Sequence, residues 1–259
     1  MASKETNSAK KPSLIRRILR SIALGTYCLT IFIIGIFAFP FVRSKVIGKE
    51  NVSKDDEAKV FLGNHYELFG PATCFLSLPY KTRVWALDKM MDPKQMEEQM
   101  GLMVYRDFKK VPKFIKKIVI KVVKNLLLTA IKLAGGIPVS RGYSMKNLVA
   151  MEQSVDTFEK GKSILIFPEK DYVKQGIGVI MDGFTFLGSY CHSKTGKKVS
   201  FYPMFISQKK RRICISKPIV YNPENSPKEE KERIVSYVIE EMTKSYEMLE
   251  TPQTKVNHS

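Results

Sequence analysis

The 259-residue chain has only three histidines, so an imidazole base has few addresses. His258 is next to last, and His192 lies in a Cys-His-Ser-Lys-Thr-Gly-Lys-Lys run that reads as a loop. His65 differs from both. It stands in Val-Phe-Leu-Gly-Asn-His-Tyr-Glu-Leu-Phe-Gly-Pro, directly after an apolar strand-like run and just before a Gly-Pro turn. Functional side chains of α/β folds gather at the C-terminal ends of strands, which makes His65 the candidate general base. Two other spots share its character. Gly135-Gly136-Ile137-Pro138-Val139-Ser140-Arg141 reads as a short strand ending in an arginine, whose planar fork can grip a phosphate. Ser163 to Phe167 reads as a strand running into Pro168-Glu169, where a carboxylate is costly to bury without a partner. The four cysteines (Cys28, Cys74, Cys191, Cys214) lack C-x-x-C spacing and read as reduced, buried thiols rather than a zinc site or disulfide framework.

The elements that must position these groups alternate β-rich runs with helical stretches. Strands are expected at 59–63, 83–87, 137–140, 163–167, 199–206 and 212–216, and helices at 144–160, 183–193 and 226–249. Ser144 is a candidate cap for the first helix. Ser226-Pro227 followed by Glu229 and Glu230 gives the last one an acidic first turn, which suits the helix macrodipole. This alternation predicts an α/β domain around a mostly parallel or mixed sheet flanked by helices. The expected layout is a basic tail (1–21), a membrane-inserted helix (22–42), one domain (45–250) and a disordered tail (251–259).

The membrane assignment comes from charge and hydropathy together. Forty-three Lys and Arg against 25 Asp and Glu give a formal net charge of +18, which calls for an anionic partner. Residues 22–42 contain no charged side chain, and as a helix they would span roughly 30 Å, the thickness of a bilayer core. Basic residues flank the segment on both sides, so its orientation is left open, and Gly25, Gly35 and Pro40 would also allow a bent segment that dips into one leaflet and returns. Between Asp107 and Glu152 lie ten basic residues and no acidic one. Within that stretch apolar residues at 114, 115, 118, 119, 122, 123 and 126 fill one half of a helix, and Lys113, Lys116, Lys117, Lys121 and Lys124 the other. A cationic amphipathic helix of this kind suits an anionic bilayer surface, and the 107–152 stretch reads as a basic insertion on the membrane side of the domain. Nucleic acid is not expected as a partner, because the lysines are not interleaved with stacking aromatics and no nucleic-acid-binding motif is present.

In order and context these residues resemble the 1-acylglycerol-3-phosphate acyltransferase family of membrane-bound glycerolipid acyltransferases. That family reads an Asn-His-x4-Asp block, a Gly-x-x-Pro-Val-x-Arg block, a Phe-Pro-Glu-Gly-Thr-Arg block and a Val-Pro-Val-type block. Here Asn64-His65 matches the start of the first block and Gly135 to Arg141 the second. Phe167-Pro168-Glu169 starts the third, and Phe201-Tyr202-Pro203-Met204-Phe205-Ile206 occupies the fourth. The likeness covers roughly residues 45 to 220. It departs at two places. Gly70 stands where the family has its aspartate, and Lys170-Asp171-Tyr172 replaces Gly-Thr-Arg.

The resemblance implies transfer of a fatty acyl group from a thioester, acyl-CoA or acyl carrier protein, to a lysophosphatidate-like acceptor in phospholipid synthesis. No metal or other cofactor is expected, since three dispersed histidines and no carboxylate cluster give nothing to ligate one, and the catalytic domain is expected at the cytoplasmic face of a membrane. His65 would be the base and Glu169 would order the site, while Asn64, Arg141 and Lys170 would contact the acceptor. The missing aspartate matters, since spoiling the orienting carboxylate of a serine-protease triad lowers the rate about 10⁴-fold. Glu67 is the expected stand-in catalytic carboxylate if the chain turns tightly after His65, although helical spacing would put it about 200° around. Asp171 or a backbone carbonyl are the alternatives. Gly70 also motivates a rival reading, a catalytically silent relative that binds anionic lipid or a partner enzyme.

Overall fold

The computed structural model describes residues 43–251 apart from 56–57, 66–68, 143, 172 and 174. The expected membrane helix at 22–42 lies outside the described residues, as does the tail beyond 251. No helix among the described residues is long and apolar enough to cross a membrane.

Eight strands form one sheet in the order β1-β7-β6-β2-β5-β3-β4, with β8 alongside β7 on the same side of β6. They are β1 (Lys45–Ile47), β2 (Ala58–Gly63), β3 (Thr82–Leu87), β4 (Ile137–Val139), β5 (Ser163–Ile166), β6 (Val199–Ser207), β7 (Arg212–Ile215) and β8 (Ile219–Val220). The helices are α1 (Phe69–Ser77), α2 (Asp88–Met91), α3 (Pro93–Asp107), α4 (Lys113–Leu133), α5 (Met145–Glu159), α6 (Phe186–Thr195) and α7 (Pro227–Glu250). A 3₁₀ turn at Asp182–Thr185 precedes α6.

β2 through β6 pair in parallel, while β7 and β8 run antiparallel to β6. The sheet is therefore mixed. Central parallel strands are covered on both faces and read as continuous apolar runs, which is why β2 and β6 lack polar alternation. Successive side chains still point opposite ways. Val60, Leu62, Ile164, Ile166 and Phe201 meet α5, α6 and α7 in one apolar cluster. Phe61, Leu165, Tyr202 and Met204 join Cys74 and Leu78, in and just after α1, in another. Cys74 is fully enclosed there, and burial pushes its thiol well above the ordinary cysteine range.

The parallel register puts the C-terminal ends of β2 to β6 along one edge. β7 returns antiparallel, and β1 pairs with it in parallel, Lys45 opposite Arg212. β1 thus begins at the edge where β6 ends, because Ser207 is also opposite Arg212. The chain from residue 43, immediately after the uncharged 22–42 segment, enters the sheet at this edge. The Lys209-Lys210-Arg211-Arg212 turn lies there too, with Arg211 at φ 52° and its guanidinium donating to the Arg43 carbonyl (3.2 Å).

Three expectations are corrected. The 107–152 stretch is not a single insertion: β4 pairs with β3, and α5 buries Ala150, Met151, Val155 and Phe158 in the main core. What stands apart is the α3–α4 hairpin, held by its own cluster around Met96, Met100, Val104 and Ile120. His192 is not in a loop but on α6, which runs on to Thr195 before Gly196 (φ 70°) ends it. The helix expected at 183–193 starts later, because 182–185 forms the tighter 3₁₀ turn.

Candidate active site at the C-terminal edge of the sheet

His65 follows β2 by two residues, at the edge where a parallel sheet presents its functional groups. The chain reaches it through Asn64, whose Oδ1 accepts from the Ile206 N–H (2.7 Å) and whose Nδ2 donates to the Ile206 carbonyl (3.3 Å). Asn64 was expected to contact substrate. Its buried amide clips the end of β2 to β6.

Glu169 follows β5 and is 5% exposed. Its Oε2 accepts the backbone N–H of His65 (2.5 Å) and its Oε1 accepts that of Gly178 (2.8 Å). Burial pushes the carboxyl above the usual carboxylate range, against the two N–H bonds that favour its charged form. The carboxylate touches the backbone of His65, so its geometry fits holding the histidine's position. It simultaneously ties down Gly178, where the chain pairs back on the end of β5 through Lys170 N–H to Val179 O (2.9 Å) and Met181 N–H to Pro168 O (2.8 Å). Gly178 leaves room for that approach. A Cβ there would lie 3.1 Å from the Asp171 carbonyl and 3.5 Å from Glu169 Cδ.

The His65 ring is half-buried, with its Nδ1 enclosed by protein. It meets the ring of Phe167 edge-on, with centroids 6.1 Å apart. Phe167 can pack this close because residue 63 is glycine; a Cβ at Gly63 would meet its ring at 3.0 Å.

Arg141 is exposed and donates from Nη2 to the Lys170 carbonyl (3.2 Å). That bond brings the arginine block beside the residue following Glu169. The remaining guanidinium donors of Arg141 suit an anion at this exposed position. Ser140, just before it, donates from Oγ to Asp88 (2.9 Å). Asp88 also accepts from Lys146 (3.1 Å), and these bonds hold its carboxyl below the usual range. Lys170 and Asp171 are both exposed. Glu67 lies outside the described residues. The structure therefore brings the backbone of His65 to Glu169 and Arg141 to Lys170, on neighbouring positions of one edge. Among the described residues no three His, Cys, Asp or Glu side chains cluster as metal ligands would.

Sequence reasoning missed the use of Asn64 and the gripping of a backbone N–H by Glu169. Both contacts join segments more than 100 residues apart. The available signal was a buried-looking carboxylate after a strand, which demanded donors without naming them.

No protein-family model matches the chain, and no curated protein matches it. Among solved structures it is similar to the 1-acyl-sn-glycerophosphate (LPA) acyltransferase PlsC from Thermotoga maritima, at 18% identity, covering 92% of this chain and 88% of that chain, with a TM-score of 0.47. A likeness that loose assigns no chemistry, which rests on the residues themselves.

Proposed function

We propose that this protein is a membrane-associated acyltransferase that moves a fatty acyl group from a thioester to the hydroxyl of a lysophosphatidate-like acceptor. The observation that carries the reading is the Glu169 carboxylate gripping the backbone of His65, with Arg141 on the neighbouring loop. The motif resemblance supplies the reaction class, and two contacts support it: Glu169 holds the main chain of His65, and Arg141 reaches the carbonyl of the residue after Glu169. His65 takes the proton of the acceptor hydroxyl as its oxygen attacks the thioester carbonyl. A C–O bond forms, the C–S bond breaks, and the proton passes on to the departing thiolate. Arg141, with Lys170, holds the acceptor phosphate. Glu169 acts through His65, as a positioning residue. Acyl-CoA or acyl carrier protein is the donor, and segment 22–42 anchors the domain at the cytoplasmic face of the bilayer.

The test is acylation of lysophosphatidate by detergent-solubilised full-length protein, wild type against His65→Ala. A loss of about 10²–10⁴-fold is expected for removal of the base, and equal rates would remove His65 from the mechanism. Glu67→Gln should cost much more activity than Asp171→Asn; the reverse order would move the orienting role to Asp171. A competing reading rests on Gly70, buried in the first turn of α1, where a carboxylate would otherwise orient the ring. It makes the protein a silent lipid-binding relative, and predicts no turnover with any lyso-acceptor.

A further inference from the structure

The α3–α4 hairpin packs with an unexpected rotation. The apolar half of α4 would ordinarily turn inward and the lysine half outward. Here the seam is turned, so that Ile120, Leu127 and Ile131 pack on α3 together with only Val119 and Val123 of that apolar half. Two lysines turn inward with them. Lys116 is buried, with its Nζ 4.9 Å from the centre of the Tyr105 ring. Lys124 bonds Glu97 at 2.5 Å. With that face fixed, the outward face of α4 carries Phe114 (66% exposed), Ile118 (59%) and Val122 (42%). Leu102, Tyr105 and Phe108 are exposed on the same end of the hairpin. Lys109, Lys110, Lys113, Lys117 and Lys121 are exposed among them.

Large apolar side chains grouped on a surface are seldom left to water, and they mark something that covers them. The charge around them says what that is. Lysines bordering exposed apolar side chains, with no acid on α4 or for eighteen residues beyond it, fit a negatively charged, apolar-cored sheet of lipid. A soluble acidic protein would complement only the lysines. The placement agrees. The hairpin leaves the sheet from the C-terminal end of β3, on the edge where His65 stands, where residue 43 enters, and where the Lys209–Arg212 turn is exposed.

We propose that the tip of the α3–α4 hairpin, residues 102–122, is a docking surface that inserts its apolar side chains into the interface of an anionic bilayer. The lysines contact lipid headgroups, and Phe114, Ile118 and Val122 lie at the boundary of the acyl chains. This stands independently of acyl transfer, since it uses no residue of the His65 site. It gives the sheet edge a second support on the bilayer, separate from segment 22–42.

The experiment uses full-length protein in lipid nanodiscs whose phosphatidylcholine carries brominated acyl chains, with or without 30 mol% phosphatidylglycerol. Phe114→Trp places a fluorophore on the surface, read as the difference from the parent, whose only tryptophan is Trp85. Gln95→Trp, exposed near the start of α3, is the control. Trp at 114 is expected to lose roughly half its emission in the anionic discs, given a depth of about 5–10 Å, and Trp at 95 to lose little. Lys109→Gln with Lys113→Gln should weaken the hairpin's docking equilibrium by about tenfold or more, at about fivefold per basic residue, seen as lost quenching. Equal quenching at 114 and 95 would overturn the proposal. So would blue-shifted, unquenched emission at 114 without lipid, which would assign the face to segment 22–42 or to a second copy of the chain. Activity is not the readout, so an inactive protein would leave this result standing.

Discussion

α4 and α7 are both long helices with an apolar stripe and a charged side, yet they use those stripes in opposite ways. α7 begins with a capping box, Ser226 and Glu229 each answering the other's backbone N–H. It places Ile234, Val238 and Met242 at zero exposure on the sheet. Its one buried carboxylate, Glu230 (2% exposed), accepts from Arg233, Asn225 and the backbone N–H of Asn222. α4 packs inward a stripe that includes two lysines and leaves Phe114 and Ile118 outside. Periodicity reveals that a stripe exists. What covers it depends on the partner: α3 offers α4 a ring and a carboxylate, whereas the sheet takes Ile234, Val238 and Met242 of α7 into its apolar cluster.

Matched truncations test that contrast most severely. Ile234→Ala should cost about 2–5 kcal/mol, as expected when a packed side chain leaves a cavity. Ile118→Ala should fall within about 0.5 kcal/mol. Chemical denaturation of the two variants would decide it, and equal losses would mean that the hairpin face is covered within the protein. Next in size is Glu230→Ala, expected to cost about 2 kcal/mol by stripping Asn222, Asn225 and a half-exposed Arg233 of their shared acceptor. Ser226→Ala should cost about 1 kcal/mol through the cap alone.

Acid sharpens the comparison further. Burial pushes the Glu230 carboxyl up, but Arg233, Asn222 and Asn225 outweigh it and hold it below the usual carboxylate range. A lowered value in the folded state means that its contribution is present above the unfolded value of about 4.3 and is lost as pH falls through the folded one. The difference in thermal midpoint between wild type and Glu230→Gln should therefore narrow as pH is taken from 7 towards 3. Glu169 runs the other way. Its raised value makes its contribution complete below the unfolded value and progressively lost as pH rises through the folded one. The smallest effect is expected at Lys244, whose bonds to Glu240 and Glu241 are solvent-exposed. Lys244→Ala should leave the melting temperature unchanged within error.

Six strands were legible because each is an apolar run bounded by turn residues, and their ends fell within two residues of expectation. β1 and β8 were not, being three and two residues long and defined by partners distant in sequence or by a short return. α1 was hidden by Gly70-Pro71, which read as a turn. Proline is tolerated in a helix's first turn, where its missing N–H would have had no intrahelical partner anyway. At the site, the identity and strand-end placement of His65, Arg141 and Glu169 were legible, since each terminates an apolar run. The pairing of Glu169 with a main-chain N–H and the clip made by Asn64 were not, because both depend on which strands become neighbours.

The sealed thiol of Cys74 gives the site's surroundings a clock. α1 is the helix that follows the histidine block, and with Cys74 enclosed against Phe61 and Tyr202 an alkylating reagent can reach it only when α1 lifts away. The rate at which the peptide containing Cys74 gains mass, followed beside those containing Cys191 and Cys214, would time that opening in the native protein. A lipid that slows it would be acting on α1 without touching the sulfur.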